Sequence, residues 1–192
     1  LDNCRRHGLR ENELESKLPE AVPPGFVRWA RTSAAASGDP AARAAHFRFN
    51  ARRKPDVDTE IRPLLRELLL ADSVDLPALS ALHERYGPQL GEVLQVERGY
   101  GYQINVNMEA LWLLVACDRG LDCGETSVAA DQLCLTQGFC GYSNVEAAVR
   151  DGLIASPELE PTMHTRERIV AALRRGDIDA FVVYKPPAAP PV

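Results

Sequence analysis

The chain has 192 residues, of which 45% are hydrophobic and 26% are charged, and its formal net charge is −5. This length and apolar content predict a globular protein that buries a sizeable core, and they argue against an intrinsically disordered chain. The acidic balance argues against a nucleic-acid partner, because neutralising phosphates requires an excess of Lys and Arg.

Both the start of the chain and its apolar runs bear on localisation. The first residue is Leu1 rather than Met, which is typical of a fragment or of a product whose signal peptide has been removed. The opening "LDNC" is only faintly similar to a lipoprotein cleavage site, since Asn3 replaces the small residue normally found before the lipidated Cys. The longest apolar run, residues 110–117, is much shorter than the about 20 residues of a membrane span. We therefore expect no membrane span.

Apolar residues recur at helical spacing from the first half of the chain onward. Asp39 followed by Pro40 predicts a helix start, because Asp caps free N–H groups and Pro loses nothing in the first turn. Asp58 is expected to cap the next helix in the same way. That helix has an apolar stripe typical of a core-facing surface, formed by Ile61, Leu64, Leu65, Leu68 and Leu69.

Three further helices follow along the chain. The stripes of two of them are Leu76, Leu79, His83 and Tyr86, and then Met108, Leu111, Trp112 and Val115. Ser143 and Glu146 predict a capping box before a C-terminal helical region, residues 143–176, which ends near Gly176. Only "FVVY", residues 181–184, favours a strand, and because no partner strand is apparent we expect an extended packing segment. The sequence thus predicts an all-α domain of paired antiparallel helices over residues 1–184 and a disordered Pro-rich tail over 185–192.

Four of the five cysteines lie in residues 116–141, with the spacing C-x5-C-x10-C-x5-C. Gly120 and Gly138 suit the left-handed residue that ends a helix, so each segment reverses between its two cysteines. This reversal predicts two local disulfides, and the predicted pairs are Cys117–Cys123 and Cys134–Cys140.

Other states of the same cysteines stay open. A structural zinc site is one alternative, although zinc sites prefer C-x2–4-C pairs, and four reduced thiols in a cytosolic protein are another. Disulfides would indicate an oxidising compartment, so we predict a periplasmic or secreted protein with no metal and no cofactor. Cys4 is left over as a free, lipidated or partner-bonded residue.

The helices also fall into loosely repeated pairs. A pattern of Trp, small residues, Gly and then Asp is matched in part by three segments. The matching residues are Trp112, Ala116, Cys117 and Gly120 in one, Trp29, Ala34, Ala35, Gly38, Asp39 and Ala42, with one extra residue, in another, and Leu68, Ala71 and Asp75 in the middle one, which lacks the Gly and the Trp. This pattern, over about residues 24–140, resembles the Sel-like repeat, a relative of the tetratricopeptide repeat. The long loop 88–106 and the added cysteines depart from it, and an irregular helical bundle is the alternative. The resemblance implies a concave surface that binds another protein or peptide, and it brings no catalytic residues.

A second resemblance concerns the loop "RGYGYQIN". Tyr100 and Tyr102 offer flat apolar faces with polar tips, which suit a sugar or peptide surface. The loop resembles the Gly-x-x-Gln segment of lytic transglycosylases and goose-type lysozymes, with Gln103 as the Gln and Glu84 as the catalytic acid. That chemistry needs a buried carboxylic acid with a raised pKa. Arg85 stands where the family normally has Ser.

These observations favour binding over catalysis. The sequence contains no G-x-S-x-G motif, P-loop, H-E-x-x-H motif or dinucleotide fingerprint. We predict an exported protein that binds another protein or peptide, as an adaptor, chaperone or inhibitor. The alternatives are a peptidoglycan-cleaving enzyme that uses Glu84 and a non-catalytic cell-wall module that uses Tyr100 and Tyr102. The Ala- and Arg-rich composition favours a bacterial source.

Overall fold

A computed structural model of the protein describes residues 38–49, 55–96 and 106–184. Within these ranges the chain forms helices joined by short turns and no β-strand, which confirms the predicted all-α class. The α-helices are α1 (Pro40–Phe49), α2 (Arg62–Leu70), α3 (Leu79–Tyr86), α4 (Met108–Asp118), α5 (Val128–Gln137), α6 (Val145–Ala148), α7 (Ser156–Arg174) and α8 (Asp179–Val182).

Short 3-10 and π-helical turns precede or follow several of these α-helices. A π-helical turn, Val57–Ile61, leads directly into α2, and a 3-10 turn, Ser73–Ala78, leads into α3. Two more 3-10 turns, Gly87–Gln89 and Glu92–Leu94, follow α3, and a second π-helical turn, Val149–Leu153, follows α6.

The helix starts follow the expected chemistry, although not always at the predicted residue. The backbone N–H of Ala42 donates to Oδ1 of Asp39 at 2.6 Å, so the predicted cap of α1 is confirmed. The prediction of Asp58 as a cap was wrong. Asp56 accepts from the Thr59 N–H at 2.8 Å instead, because the helical path already begins with the π-helical turn at Val57.

Two predictions near the C-terminus also need correction. Asn144, rather than Ser143, caps α6, and its Oδ1 accepts from the Ala147 N–H at 2.8 Å. Residues 181–184 do not form one extended segment, because α8 includes Phe181 and Val182. Both of these side chains are buried, so the apolar run packs into the core from a helical turn.

The larger of two hydrophobic cores lies on one side of α4. Helix α4 packs there against the turn Ser73–Ala78, α3 and α7, while α1 packs on α2 and α3, and α8 packs on α2. We call the larger core the set of buried residues Ala44, Ile61, Leu64, Leu65, Leu68, Leu69, Leu76, Leu79, Leu82, Tyr86, Leu90, Val93, Leu94, Val106, Met108, Leu111, Trp112, Val115, Ala116, Ile169, Val170, Ala172, Leu173, Phe181 and Val182.

One close approach in the larger core requires glycine. The Gly91 N–H donates to the Phe181 carbonyl at 2.7 Å, which brings the backbone of the Glu92–Leu94 region against α8. A Cβ atom at Gly91 would overlap the backbone carbonyl of Ala180. The contact between these two segments therefore depends on the missing side chain.

The smaller core lies on the opposite side of α4. It consists of Ala110, Leu114, Leu133, Val145, Ala148, Val149 and Ile154. Helix α4 contributes to both cores, because its predicted stripe lies in the larger core and Ala110 and Leu114 on its other side lie in the smaller one. The smaller core joins α4 to α5, α6 and the turn Val149–Leu153.

Two disulfides lie beside the smaller core and confirm both predicted pairs. Cys117 and Cys123 are bonded across a Cα–Cα distance of 5.7 Å, and Cys134 and Cys140 across 4.5 Å. Gly120 and Gly138 adopt φ values of 101° and 79°, the left-handed conformation that lets the chain reverse within each short loop. Because all four sulfurs are paired, the zinc and reduced-thiol alternatives are set aside.

Candidate functional site

The structure places only some of the residues that the sequence singled out. Glu84 is exposed on α3, so the buried carboxylic acid that the lytic mechanism requires is not formed at this position. Tyr100, Tyr102 and Gln103 lie outside the described residues, as do Cys4 and the tail 185–192. The disulfide cysteines are the predicted residues that the structure brings together.

A groove of about 660 Å³ lies between α3, α4, α5, the turns Ser73–Ala78 and Val149–Leu153, and the loop that follows α4. We call it the α4–α5 groove. It is lined by Pro77, Ser80, Glu109, Leu113, Leu121, Asp122, Val128, Ala129, Gln132, Leu133, Gln137 and Leu153. These lining residues cannot be recognised from one stretch of sequence, because they come from five separate parts of the chain.

The α4–α5 groove combines apolar and acidic surface. Four leucines, two aliphatic residues of α5 and a proline supply the apolar lining, and the polar lining is made of Ser80, Gln132, Gln137, Glu109 and Asp122. The described lining residues include two carboxylates and neither Lys nor Arg. Apolar side chains with a few polar groups at the edge are typical of recognition sites.

Both disulfides support walls of the α4–α5 groove. Leu121 and Asp122 lie inside the loop that the Cys117–Cys123 bond closes. Gln137 lies inside the loop that the Cys134–Cys140 bond closes, and Leu133 directly precedes Cys134. Asp122 Oδ1 also accepts from the Gly124 N–H at 3.0 Å, which fixes the turn of the first loop. The groove is therefore built largely on covalently closed segments.

Helix α5 presents large apolar side chains to solvent at the groove. Val128 is 82% exposed and lines the groove, and Leu135 is 61% exposed on the same helix. Residues seven apart lie on one face of a helix, here about 10 Å apart along its axis. Asp131 and Gln132 lie between them on the same side of the helix, so Val128 and Leu135 are two separate exposed apolar side chains.

A polar cleft lies on the other side of the Cys117–Cys123 bond. Arg166 of α7 donates to Asp118 with two parallel hydrogen bonds, of 2.7 and 2.9 Å, and also reaches Glu146 at 3.1 Å. The Asp118 carboxylate raises the pKa of Arg166. Burial acts to raise the pKa of Glu146, but the hydrogen bond from Arg150 and the charge of Arg166 outweigh burial and lower it.

The charged side chains of this polar cleft hold the fold together and do not form a ligand-binding site. Its volume is about 440 Å³, yet its most buried cation, Arg166, is already held by carboxylates on both sides. Bidentate Arg–carboxylate pairs are among the stronger charged contacts. Arg166 therefore ties α4 to α6 and α7 beside the disulfide, and the cleft offers an anionic ligand no uncommitted guanidinium at its centre.

A buried histidine connects three segments of the larger core. His83 Nε2 lies 2.7 Å from the Leu94 carbonyl, and Trp112 Nε1 donates to His83 Nδ1 at 3.1 Å. The ring must therefore be neutral, with its proton on Nε2. Burial lowers the pKa of His83 to about 4, the hydrogen bond to Leu94 opposes this, and the charge of Arg168 adds to the lowering.

His83 has no access to a ligand in this arrangement, because the residue is 2% exposed and both ring nitrogens are engaged. A Cβ atom at Gly87 would lie 2.8 Å from His83 Cδ2, so the glycine leaves room for the ring. Over residues 38–49, 55–96 and 106–184 no group of three or more His, Cys, Asp and Glu side chains is arranged to hold a metal ion.

No helix in the described ranges is both long enough and apolar enough to cross a membrane. Comparison of the chain with protein-family models, with curated proteins and with solved structures found no match in any of the three. The resemblance to Sel-like repeats therefore stays a prediction.

Proposed function

We propose that this protein binds a polypeptide segment of a partner protein in the α4–α5 groove, after export to an oxidising compartment. The observation that carries the proposal is the largely apolar groove with the 82% exposed Val128 among its lining residues. Exposed apolar side chains in a groove favour a partner, because their burial on binding is favourable. The adaptor or inhibitor role expected from the helical-repeat resemblance belongs to the same class.

The shape of the surface favours a polypeptide over a small molecule. The groove volume alone would admit a drug-sized ligand, whose sites commonly measure about 300–1,000 Å³. However, Leu135 is a second exposed apolar side chain of α5, outside the groove and about 10 Å from Val128 along the helix. A compact ligand in the groove would leave Leu135 exposed, whereas an elongated segment covers both residues.

The two disulfides support the export part of the proposal. Disulfides persist in oxidising compartments, and reducing cytosol breaks most of them. Both bonds lie in the part of the chain that forms the groove, so the binding surface would be rigid outside the cell or in a periplasm and loose in the cytosol. We propose the periplasm or the extracellular space as the place of action.

A random peptide display library selected against the immobilised, oxidised protein tests the proposed function. We expect enriched peptides to bind the wild-type chain and to lose at least about 10-fold in affinity with Val128→Lys, because the substitution places a charge on the apolar surface. The matched control is Leu70→Lys on α2, since Leu70 is 69% exposed and does not line the groove. The proposal would be contradicted if no peptide were enriched, or if the enriched peptides bound Val128→Lys as tightly as the wild type.

A further inference from the structure

The two disulfides differ in how open their cysteines are to solvent. Cys140 is exposed, whereas its partner Cys134 is only 5% exposed. In the other bond, Cys117 and Cys123 are both half-buried. Thiol–disulfide exchange begins when a thiolate attacks one sulfur of the bond, so its rate depends on which sulfur the attacker can reach. Among the four bonded cysteines, Cys140 therefore offers the most open point of attack.

Backbone hydrogen bonds hold the first loop, closed by Cys117–Cys123, independently of its sulfurs. The Leu121 N–H donates to the Ala116 carbonyl at 3.0 Å, which folds the loop back onto the end of α4. The Val145 N–H donates to the Cys123 carbonyl at 2.9 Å, which ties the far end of the loop to the start of α6. Both ends of this loop would keep their contacts if the sulfurs were separated.

The second loop, closed by Cys134–Cys140, depends more on its disulfide. Two hydrogen bonds run inside it, from the Gly138 N–H to the Cys134 carbonyl and from the Cys140 N–H to the Gly138 carbonyl, both at 3.1 Å. Towards the rest of the fold, the Phe139 ring packs on Gly152, where a Cβ atom would lie 2.5 Å from the ring. An apolar contact is not directional. Opening of the bond therefore lets the residues after Gly138 turn about the end of α5.

The second loop adjoins the α4–α5 groove on two sides. Gln137 lies inside the loop and Leu133 directly precedes it, and both line the groove. Leu153, another lining residue, directly follows Gly152, on which Phe139 packs. Release of the second loop therefore removes support from the groove wall at the end of α5 and at the turn Val149–Leu153.

We propose that Cys134–Cys140 is a thiol–disulfide exchange site, attacked at Cys140 by the thiolate of an external dithiol, and that its opening loosens the groove wall. A bond forms between the attacking sulfur and Cys140 Sγ, the bond to Cys134 breaks, and Cys134 leaves with the electron pair and takes a proton from water. The second thiolate of the dithiol then attacks the dithiol's own sulfur and releases Cys140. The dithiol is oxidised as the protein disulfide is reduced. This proposal does not depend on what the groove binds.

The position of Cys134 makes the intermediate long-lived. Cys134 is buried in the last turn of α5, where burial and the carbonyl end of the helix both disfavour a thiolate. A protonated thiol attacks a disulfide poorly, so Cys134 returns slowly to the mixed disulfide on Cys140. A reductant that lacks a second thiol should therefore stay attached to Cys140.

Graded reduction of the oxidised full chain with dithiothreitol shows which bond opens first. The chain carries Cys4→Ser to remove the fifth cysteine, and samples are quenched in acid, denatured, alkylated and mapped by mass spectrometry. We expect Cys134 and Cys140 to be reduced at least about 10-fold faster than Cys117 and Cys123. The matched controls are the two double Cys→Ala variants that keep one bond each. Equal rates, or faster opening of the first loop, would overturn the proposal.

Glutathione, a monothiol, identifies the sulfur that is attacked. Peptide mapping should find the mixed disulfide on Cys140. A mixed disulfide on Cys134 instead, or none on either residue, would overturn the assignment of Cys140 as the point of attack.

Hydrogen–deuterium exchange of the chain with only the second bond reduced tests the effect on the groove. We expect faster exchange in residues 133–137 and 149–153 and unchanged exchange in α2 and α3. Unchanged exchange in the two groove segments, or equal acceleration in every helix, would show that the bond does not control the groove wall.

Discussion

The two cores that share α4 are stabilised in different ways. The larger core packs many aliphatic side chains around Trp112, and its described part contains no disulfide. The smaller core has few buried apolar residues, and beside it lie two disulfides and the Arg166 ion pairs. Cross-links of this kind are typical where the buried apolar surface is too small to stabilise a fold alone.

The candidate binding surface lies on the disulfide-bonded side. The larger core also leaves apolar side chains exposed beside it, at Leu70, Val183 and Tyr184, but none of them lines the α4–α5 groove. The smaller core leaves Val128 and Leu135 exposed, while covalent loops hold the surrounding backbone in place. Disulfides thus allow an apolar surface to stay uncovered without loss of its shape.

The largest effect should come from removing the centre of the larger core. Trp112 is fully buried and donates a hydrogen bond to His83. We expect Trp112→Ala to lower the free energy of unfolding by about 3–5 kcal/mol, because it leaves a large cavity and an unpaired ring nitrogen. Urea unfolding of the oxidised protein measures the loss.

The control for this experiment is Leu70→Ala, at an exposed position of α2. Its expected effect is within about 0.5 kcal/mol. A loss below about 1 kcal/mol for Trp112→Ala would show that the disulfide-bonded side, rather than the larger core, dominates the stability of the fold.

A smaller and more local effect is expected from removing one disulfide. The double substitution Cys134→Ala with Cys140→Ala should cost about 2–3 kcal/mol, the chain-entropy contribution of so short a loop. Because this bond lies beside the smaller core, we expect faster amide hydrogen exchange in α5 and α6 and little change in α2 and α3.

Hydrogen–deuterium exchange followed by mass spectrometry measures these exchange rates. A free-thiol count on the denatured sample checks that the other disulfide is still formed. The matched variant replaces Cys117 and Cys123 by Ala and should loosen residues 119–124 first. Equal acceleration of exchange in both cores would mean that they unfold as one unit, and the distinction drawn between them would then be wrong.

Acid should weaken the larger core through His83. The pKa of this buried ring is about 4 in the folded protein, against about 6.5 when it is exposed on unfolding. The unfolded chain therefore binds the proton first, and stability is complete above about pH 6.5 and falls as the pH drops towards 4. Between pH 7 and pH 5 we expect a loss of about 2 kcal/mol from this group.

The variant His83→Gln separates this effect from other titrations. Asp56 and Glu146 have lowered pKa values, so both also contribute stability that is lost in acid, but at lower pH than His83. The variant should be less stable than the wild type at pH 7 and should lack most of the fall between pH 7 and pH 5. Equal pH dependence in both proteins would show that His83 is not held neutral in the core.

The sequence predicted the features that depend on residues close together in the chain. The helices follow from apolar spacing, and both disulfides follow from a Gly that reverses the chain between two cysteines. The errors at Asp58 and Ser143 are small shifts of helix caps, because several neighbouring polar residues can cap a helix start.

Features that depend on distant residues were not predicted. The α4–α5 groove joins Pro77 to Leu153, and no local pattern reports that these two segments meet. His83 was placed correctly on an apolar face, but its bonds to Leu94 and Trp112 depend on tertiary packing. "FVVY" was assigned from strand propensity alone, and packing of Phe181 against the core overrode that preference.

The smallest effect is expected at Glu84, which was the candidate acid for glycan cleavage. It is exposed on α3, so Glu84→Gln should change the free energy of unfolding by no more than about 0.5 kcal/mol. Incubation of insoluble peptidoglycan with the wild-type protein and with this variant should release no soluble fragments in either case, because a glycosidase acid acts from a buried site and this carboxyl is exposed. Fragments released by the wild type alone would establish an enzyme and would move the functional site from the smaller core to the surface of the larger one.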